Sequence, residues 1–413
     1  MKNFKNVFSL LMVICLIVLS ACNSDEANSG DNGKGSDTYE IGALFPLTGD
    51  LALLGEESFR GVELAVEEIN NAGGVEGKKI KLVKADAGDP DAAQSEANRL
   101  INQEDVKTIV GSFSSGISFA ATEVAERNGA LYWELGAVAD NVTDREYKNV
   151  LRINPPASFF SVVNINFIKD VVAKELGKNV GDLRVAIVHE DSSYGTTIAE
   201  EAKKLAGKEK INIVTTQGYS SGTNDLSSVV LNLKDAKPDV LIAVGYLNDA
   251  VLLARQSEEL GFDVPVLLGN GGGHTMTDFR DAVGDLANGI FNIDFPQYQI
   301  NREFTPGMDE FIEAYKEKYG HEPRSGHSLA NYMGMKVVAD IIGEVGEIDP
   351  EKLRDAALKY KVDPRTTATG WGVDFDSTTG QNMLGEPYLH QWVDGELITV
   401  WPEDVAVEAP SFE

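Results

Sequence analysis

A serine-rich stretch in the first third of the chain holds the densest set of potential nucleophiles. It reads GSFSSG over residues 111–116 and follows an apolar run that is typical of a strand. A serine nucleophile at a strand-to-helix elbow needs glycine two residues before and two residues after it, and no serine here has both. His189 and His274 could approach the stretch in the fold, so a serine hydrolase using Ser114 or Ser115 stays a minor alternative. We interpret the stretch as a hydrogen-bonding loop that leads into a helix.

Other motifs that could hold a phosphate or a metal are incomplete. The glycine cluster GNGGG at residues 269–273 lacks both the dinucleotide-binding spacing and the Lys-Ser/Thr pair of a P-loop. The segment DFDSTTG at 374–380 starts like a calcium loop, but its glycine falls one place late and the closing acid is absent. The histidines form no HExxH zinc motif, because Pro323 follows His321-Glu322. The sequence therefore predicts no catalytic residue, no metal and no cofactor.

Composition excludes several classes of protein. The chain has 413 residues, and 43% of them are hydrophobic, which is enough for a large core and excludes a disordered chain. Its 36 basic and 65 acidic residues give a net charge of −29. An acidic excess of this size argues against binding to the phosphate backbone of nucleic acids and against electrostatic docking on anionic lipid.

The first 38 residues have the features of an export signal followed by a tether. Lys2 and Lys5 precede an apolar run over residues 7–19, which ends in Leu-Ser-Ala-Cys at 19–22. These four residues resemble the lipobox of bacterial lipoproteins, which implies cleavage before Cys22 and lipidation of its thiol. We therefore predict a signal peptide over residues 1–21, a flexible polar tether over 22–38, and an extracytoplasmic protein lipid-anchored to the cell membrane. Because Cys15 is the only other cysteine, the mature body would have no thiol for a disulfide.

Short apolar runs alternate with amphipathic segments from Tyr39 onwards, and this alternation predicts an α/β fold. The predicted strands are 39–44, 79–83, 108–110, 130–133, 183–188, 211–214, 240–244 and 264–268. The predicted helices are 56–71, 91–102, 117–128, 194–205, 225–233, 248–260, 305–319 and 325–345. The series appears twice, on either side of Asn154-Pro155-Pro156, so we expect two lobes whose parallel sheets are covered on both faces. In the tail we predict a strand at 372–375, a turn at 376–380 and a hairpin turning at Asp394-Gly395.

The carboxyl ends of the predicted strands are the expected place for a ligand, since doubly wound sheets bind ligands there. The loops at these ends are 47–55, 111–115 and 134–139 in the first half, and 190–194, 245–248 and 269–274 in the second. Ser114 and Ser115 combine hydroxyls with the amides of a helix start, which suits a carboxylate. Tyr194 and Tyr246 offer aromatic walls, each with one polar group.

The chain resembles type I periplasmic binding proteins of the branched-chain amino-acid class, the solute receptors of ABC importers. The resemblance covers the body from Tyr39 to the final hairpin and is carried by IGALFPLTGDLALLGEESFRGVELAVEEINNAGGVEGKKIKLV, KADAGDPDAAQSEANRLI, IVGSFSS, RVAIVHEDSSYG and LANGIFNI. It implies two doubly wound, Rossmann-like lobes with parallel central sheets, joined by three hinge crossovers. Lobe 1 would comprise residues 39–153 plus 293–366, and lobe 2 residues 154–292 plus 367–413.

The resemblance also implies a set of ligand-binding positions. Ser115 falls at the family's carboxylate-binding serine, with Ser114 beside it. The other implied positions are Gly136, Val138, Tyr194, Tyr246, Asn270 and Gly271. Three of them depart from the amino-acid binders: Gly136 and Val138 replace an alanine and a threonine, so that a hydroxyl is lost, and Gly271 replaces an acid that pairs with the ligand's ammonium group. Leu54 replaces an aromatic residue of the family.

Without an acid at position 271, the sequence does not show which residue would pair with an ammonium group of the ligand. An unpaired ammonium group buried between lobes would cost several kcal/mol, so another group must neutralise it or the ligand has none. Glu134, which follows Trp133 directly before the loop, could accept a cation or an NH-bearing ring. The alternative is that Glu134 caps the loop and faces solvent.

The function implied by the resemblance is capture without chemistry. The two lobes would close by hinge motion on a small polar solute, for which a branched-chain or related amino acid is the expected choice, and deliver it to the permease and ATPase subunits of an ABC importer. The same fold could instead hold a small carboxylate, an amide or a nitrogen heterocycle. It could also serve as a ligand sensor, since sensors use the same closure.

Overall fold

Strands and helices alternate broadly from residue 38 to residue 294, and three helices and then four strands follow. The computed structural model describes residues 38–412, so the predicted signal peptide and Cys22 lie outside the described residues. Of the predicted tether only Thr38 is described, and it begins the first strand. None of the helices among residues 38–412 is both long and apolar enough to span a bilayer.

The first sheet is built from five parallel strands. They are β1 (Thr38–Phe45), β2 (Lys79–Asp86), β3 (Thr108–Gly111), β4 (Leu131–Glu134) and β5 (Val150–Arg152). The helices between them are α1 (Ala52–Asn71), α2 (Pro90–Asn102) and α3 (Ser115–Asn128). The strand order is β2-β1-β3-β4-β5, so the chain reverses its direction of travel across the sheet at β1. Such a reversal opens a crevice at the carboxyl ends of the two strands involved.

The second sheet repeats this order and then extends it. The helices that follow the first sheet are α4 (Ala157–Phe167) and, after a π-helical turn at Ile168–Val172, α5 (Ala173–Glu175). The remaining elements up to the last parallel strand are β6 (Arg184–Glu190), α6 (Ser193–Glu209), β7 (Asn212–Tyr219), α7 (Ser227–Ala236), β8 (Val240–Val244), α8 (Leu247–Leu260), β9 (Val266–Asn270), α9 (Gly272–Thr275), α10 (Thr277–Val283) and β10 (Phe291–Asp294). The parallel order β7-β6-β8-β9-β10 matches that of the first sheet.

After β10 the chain returns to the helices of the first sheet and then to the second sheet. The elements are α11 (Met308–Tyr319), α12 (Gly326–Val345), α13 (Pro350–Ala357), β11 (Lys361–Val362), β12 (Val373–Asp374), β13 (Tyr388–Val393) and β14 (Glu396–Trp401). β13 and β14 join the second sheet antiparallel, beside β10. Helix α12 packs along α1, and the two helices approach so closely that a Cβ at Gly61 would clash with the carbonyl oxygen of Ser328.

Local signals explain several of the element boundaries. Helix α1 ends at two glycines with positive φ, Gly73 and Gly74, as the sequence predicts. Helix α2 starts at Asp89, whose side chain accepts a hydrogen bond from the backbone N–H of Ala92 at 2.8 Å. The hairpin at Asp394-Gly395 is confirmed, since both residues have positive φ and join β13 to β14.

The α/β class with parallel central sheets is confirmed, and the eight predicted strands and eight predicted helices all have counterparts. The elements without a predicted counterpart are strands β5, β10 and β11 and helices α4, α5, α9, α10 and α13. The short strand β12, predicted at 372–375, pairs with β11 rather than with a later strand of the tail. From Thr38 onwards the chain forms one compact unit, and the lobe boundaries given above stay a prediction.

Candidate functional site

A small cavity lies where loops from the carboxyl ends of both sheets meet. Six of the residues named from the sequence line it: Ser115, Gly136, Val138, Tyr194, Tyr246 and Gly271. Five further residues complete the wall: Phe113, Phe160, Gly272, Asp294 and His327. The cavity measures about 20 Å³, which is room for one or two water-sized groups. The walls must therefore separate to admit a solute.

The serine loop brings the start of a helix to the cavity. Ser115 is the first residue of α3 and is buried, and its hydroxyl accepts a hydrogen bond from the backbone N–H of Ala139 at 3.1 Å. The preceding residue, Ser114, makes no side-chain cap to the helix. The first turn of α3 therefore keeps amides that can bind an anionic group, as helix N-termini do.

Ser114 lies outside the cavity wall. Its hydroxyl is 3.3 Å from that of Tyr246, and it lines an outer pocket of about 270 Å³ that shares Tyr246 with the cavity. Among the described residues, neither Ser114 nor Ser115 is hydrogen-bonded to a histidine. His189 contacts the carbonyl of Glu190 at 2.9 Å, and the Nδ1 of His274 has no hydrogen-bond partner. Ser115 shares the cavity with His327 but is not hydrogen-bonded to it, so the described residues do not form the Ser–His pair that a serine hydrolase uses.

Glu134 holds the loop after β4 through hydrogen bonds to its backbone and does not line the cavity. Its Oε1 accepts hydrogen bonds from the backbone N–H groups of Ser112, Gly136 and Ala137 at 3.0, 2.8 and 2.6 Å. Its Oε2 forms a short hydrogen bond with the hydroxyl of Ser118. The side chain is fully buried, so the expectation that it faces solvent is wrong, although it does cap the loop. Burial raises the pKa of Glu134 to about 7.

The two predicted tyrosines form one aromatic wall. The rings of Tyr194 and Tyr246 lie 5.1 Å apart, and the hydroxyl of Tyr194 donates a short hydrogen bond to the carbonyl of Asn270. Gly271 has a φ of +67°, and a Cβ there would clash with the hydroxyl of Tyr194. Asn270 itself does not line the cavity, because its side chain bonds to Asn164 at 2.6 Å instead.

Asp294 is a site residue that the sequence analysis misses. It ends β10, next to β9, and the backbone N–H of Gly271 donates to the carbonyl of the preceding residue, Ile293, at 2.8 Å. The carboxylate is 1% exposed and accepts hydrogen bonds from the hydroxyl of Thr275 at 2.5 Å and from the backbone N–H of Phe295 at 2.8 Å. Burial alone would raise the pKa of Asp294, but His327 and the hydroxyl of Thr275 hold it below its ordinary value.

His327 is the second residue missed. It lies in the first turn of α12, and its Nε2 is 3.5 Å from Oδ1 of Asp294. The ring meets Phe113 edge-on at 5.3 Å and Phe295 at 4.6 Å. A sequence signal exists for Asp294, because Ile290, Phe291 and Ile293 read as a short apolar strand ending in an acid. We find no comparable signal for His327.

Fold and site together define a class of protein. Two sheets with the same strand order present their carboxyl ends to one closed cavity, and that cavity has a helix start on one side and a buried carboxylate on another. This is the arrangement of a receptor that encloses a small solute between two lobes. The model of the family described as "Periplasmic binding protein" matches residues 38–396, and the chain belongs to this family.

Known relatives and solved structures agree with this assignment. Leu/Ile/Val-binding protein homolog 7 of Brucella suis is 44% identical over 369 residues, which are 89% of this chain and 92% of the relative. The structure of the branched-chain amino acid transporter substrate binding protein of Streptococcus pneumoniae, in complex with isoleucine, has a TM-score of 0.75 and 25% identity, and it covers 87% of this chain and 97% of its own. A solute binding protein of an ABC transporter from Rhodopseudomonas palustris, in complex with 3,4-dihydroxy benzoic acid, has a TM-score of 0.75 and 21% identity, with 91% and 98% covered.

Proposed function

We propose that this chain is the receptor of an ABC importer and captures a branched-chain or related amino acid in the cavity. The observation that carries the proposal is Asp294, which supplies the one carboxylate among the described residues of the cavity wall. It lies beside Gly271, the position where an acid would otherwise pair with the ligand's ammonium group. A buried carboxylate on the neighbouring strand can take over that charge pairing.

The negative charge of an amino-acid ligand has a separate binding partner, the N-terminus of α3. The carboxylate of an amino acid would bind at the start of α3, where the hydroxyl of Ser115 and the amides of the first turn lie. The backbone N–H groups of Gly136 and Ala137 bond to Glu134, so this loop supports the site mainly through its shape. The apolar walls from Val138 and Phe160 suit an aliphatic portion of the ligand.

Relatives differ in what they bind, and the cavity favours one choice. The Brucella relative is named for leucine, isoleucine and valine, while the Rhodopseudomonas structure holds an aromatic carboxylic acid. An aromatic acid would use the aromatic walls formed by Phe113 and Tyr246. It would, however, leave the buried carboxylate of Asp294 without a cationic ligand group, and for that reason we favour the amino acid.

The compartment and partners follow from the same proposal. The family is extracytoplasmic and works with ABC transporter permeases. For this chain, we propose that a lipid on Cys22 anchors the receptor to the cell membrane and that the closed form docks on the permease, whose ATPase subunits drive import.

Replacing Asp294 by asparagine tests the proposed pairing with the ammonium group. Binding would be measured by calorimetry with leucine and with 4-methylpentanoate, which is leucine without its amino group. Asp294→Asn should weaken leucine binding by about 2 kcal/mol or more, roughly 30-fold, because a buried charge loses its partner. It should not weaken the binding of 4-methylpentanoate.

The matched control is Asp239→Asn, which alters a carboxylate that pairs with Lys178 at 2.6 Å, at the start of β8 and away from the cavity. This variant should bind leucine as the unchanged protein does. Equal loss of both ligands in Asp294→Asn, or no loss of either, would contradict the role that we assign to Asp294.

A further inference from the structure

The imidazole of His327 lies in the cavity wall beside Asp294, and its Nδ1 can make a further hydrogen bond. The side chain is 3% exposed, and among the described residues neither Nδ1 nor Nε2 has a hydrogen-bond partner. A buried polar group without a partner costs free energy, because water satisfies it in the unfolded chain. A ligand that supplies the missing partner would recover this free energy on binding.

The surroundings of His327 keep the ring at the cavity. The first turn of α12 is fixed by Ser325, whose hydroxyl accepts from the backbone N–H of His327 at 3.4 Å, and by Ser328, whose hydroxyl donates to the buried carboxylate of Glu57 at 2.6 Å. Phe113 and Phe295 pack on the ring itself. The imidazole is therefore held in place before the ligand arrives.

Asp294 does not satisfy His327 by itself. The separation of 3.5 Å between Nε2 and Oδ1 exceeds the roughly 2.7–2.9 Å of a strong charge-assisted hydrogen bond. The carboxylate instead accepts from Thr275 and Phe295. The imidazole can therefore still form a hydrogen bond with a ligand. It lies next to Asp294, the carboxylate that we assign to the ligand's ammonium group.

We propose that His327 is a specificity-determining residue and that it hydrogen-bonds a polar group in the side chain of the ligand. The inference rests on the proposed function, and it narrows the ligand to an amino acid whose short side chain carries a hydroxyl or an amide. Threonine has the shape of valine with a hydroxyl in place of one methyl group, and asparagine has nearly the shape of leucine. Within each pair the two amino acids have nearly the same size, so a difference in affinity reports the hydrogen bond.

The site should discriminate strongly against amino acids whose side chains lack a polar group. A purely apolar pocket barely rejects a ligand that adds a hydroxyl, whereas a site built around a buried polar group rejects the analogue that leaves this group unpaired. Leaving His327 unpaired beneath valine should therefore favour threonine over valine by roughly tenfold or more.

The test is a calorimetric comparison of both ligand pairs in the unchanged protein and in His327→Leu and His327→Gln. The unchanged protein should prefer threonine to valine and asparagine to leucine. His327→Leu should remove or reverse both preferences, chiefly by tightening valine and leucine, and His327→Gln should keep part of them because its amide still hydrogen-bonds. The control is His274→Leu, which removes a buried histidine that has an unpaired Nδ1 but does not line the cavity. It should leave both preferences unchanged.

The outcomes separate the two proposals. If no amino acid binds the unchanged protein, the proposed function fails. If amino acids bind but the preferences are absent, or are the same in His327→Leu as in the unchanged protein, the role of His327 is overturned while the amino-acid receptor stands.

Discussion

Glu134 shows how a single buried carboxylate can organise a binding loop without touching a ligand. Its Oε1 holds the backbone of Ser112 on one side and of Gly136 on the other, so it ties the serine loop to the loop after β4. Both loops contribute to the cavity wall. The sequence predicts correctly that Glu134 lies between a strand and the binding loop. Whether its side chain is buried, and where it points, depends on tertiary packing that no local sequence pattern records.

The raised pKa of Glu134 predicts a dependence of stability on pH. The folded protein keeps the proton up to about pH 7, whereas the unfolded chain releases it near its ordinary value of 4.5. Because the folded state binds more protons in this window, the contribution of Glu134 to stability falls as pH rises from about 4.5 to 7, by about 3 kcal/mol. Glu134→Gln cannot titrate, so its unfolding free energy relative to the unchanged protein should rise with pH across this window.

The unfolding free energy must be compared between the unchanged protein and Glu134→Gln, because other buried groups also titrate in this pH range. His274 and His390 are buried, and burial lowers the pKa of each to about 4, so they add stability as pH rises from about 4 to 6.5 and oppose Glu134. Denaturant unfolding of both proteins between pH 5 and 8 cancels these contributions. Parallel curves for the two proteins would contradict a Glu134 that is protonated near neutral pH.

At the scale of elements, the strand-end loops could be predicted, but strand β10, which carries a site residue, could not. Apolar runs bounded by turn residues predict β3, β4, β8 and β9, and with them the loops of Ser115, Gly136, Tyr246 and Gly271. Strand β10 is as short as β3 and β4, but Asn292 interrupts its apolar run. Because the strand was missed, the acid at its carboxyl end, Asp294, was missed with it. His327 starts a helix that was predicted, but only the return of α12 onto α1 brings this residue to the cavity.

The turn after β9 predicts a separable effect on binding. Gly271→Ala adds a Cβ that clashes with the Tyr194 hydroxyl, at a residue with a φ of +67°. It should displace the aromatic wall and weaken binding of the amino-acid ligand by tenfold or more, with a backbone strain of about 1–3 kcal/mol. The control is Gly284→Ala, where φ is +60° but a Cβ meets nothing within 4 Å.

Both variants should lose stability in thermal unfolding, Gly271→Ala the more because of its clash, and only Gly271→Ala should lose affinity in calorimetry. Unchanged affinity in Gly271→Ala would show that the contact between Gly271 and Tyr194 does not shape the ligand site.

At the scale of the whole molecule, the cavity is closed by contacts between the two sets of loops. The hydroxyls of Ser114 and Tyr246 are 3.3 Å apart, and the rings of Phe113 and Tyr246 meet edge-on at 5.8 Å. His327 reaches Asp294 from α12. A ligand that bonds to both sets of loops adds contacts that only the closed form makes, so it should shift the equilibrium towards the closed form. The acidic surface, with a net charge of −29, is then mainly solvated, and Asp294 is the part of that acidity which enters the cavity.

The cavity should receive an amino acid and recognise both of its charges. Calorimetric titration of the protein with the twenty amino acids, and with the carboxylic acid analogue of each binder that lacks the amino group, tests this most directly. We predict that at least one amino acid binds with one-to-one stoichiometry and that its analogue without the amino group binds at least tenfold more weakly, because Asp294 loses its partner. Absence of binding by all twenty, or equal affinity for the analogue, would contradict a cavity that recognises both charges of an amino acid.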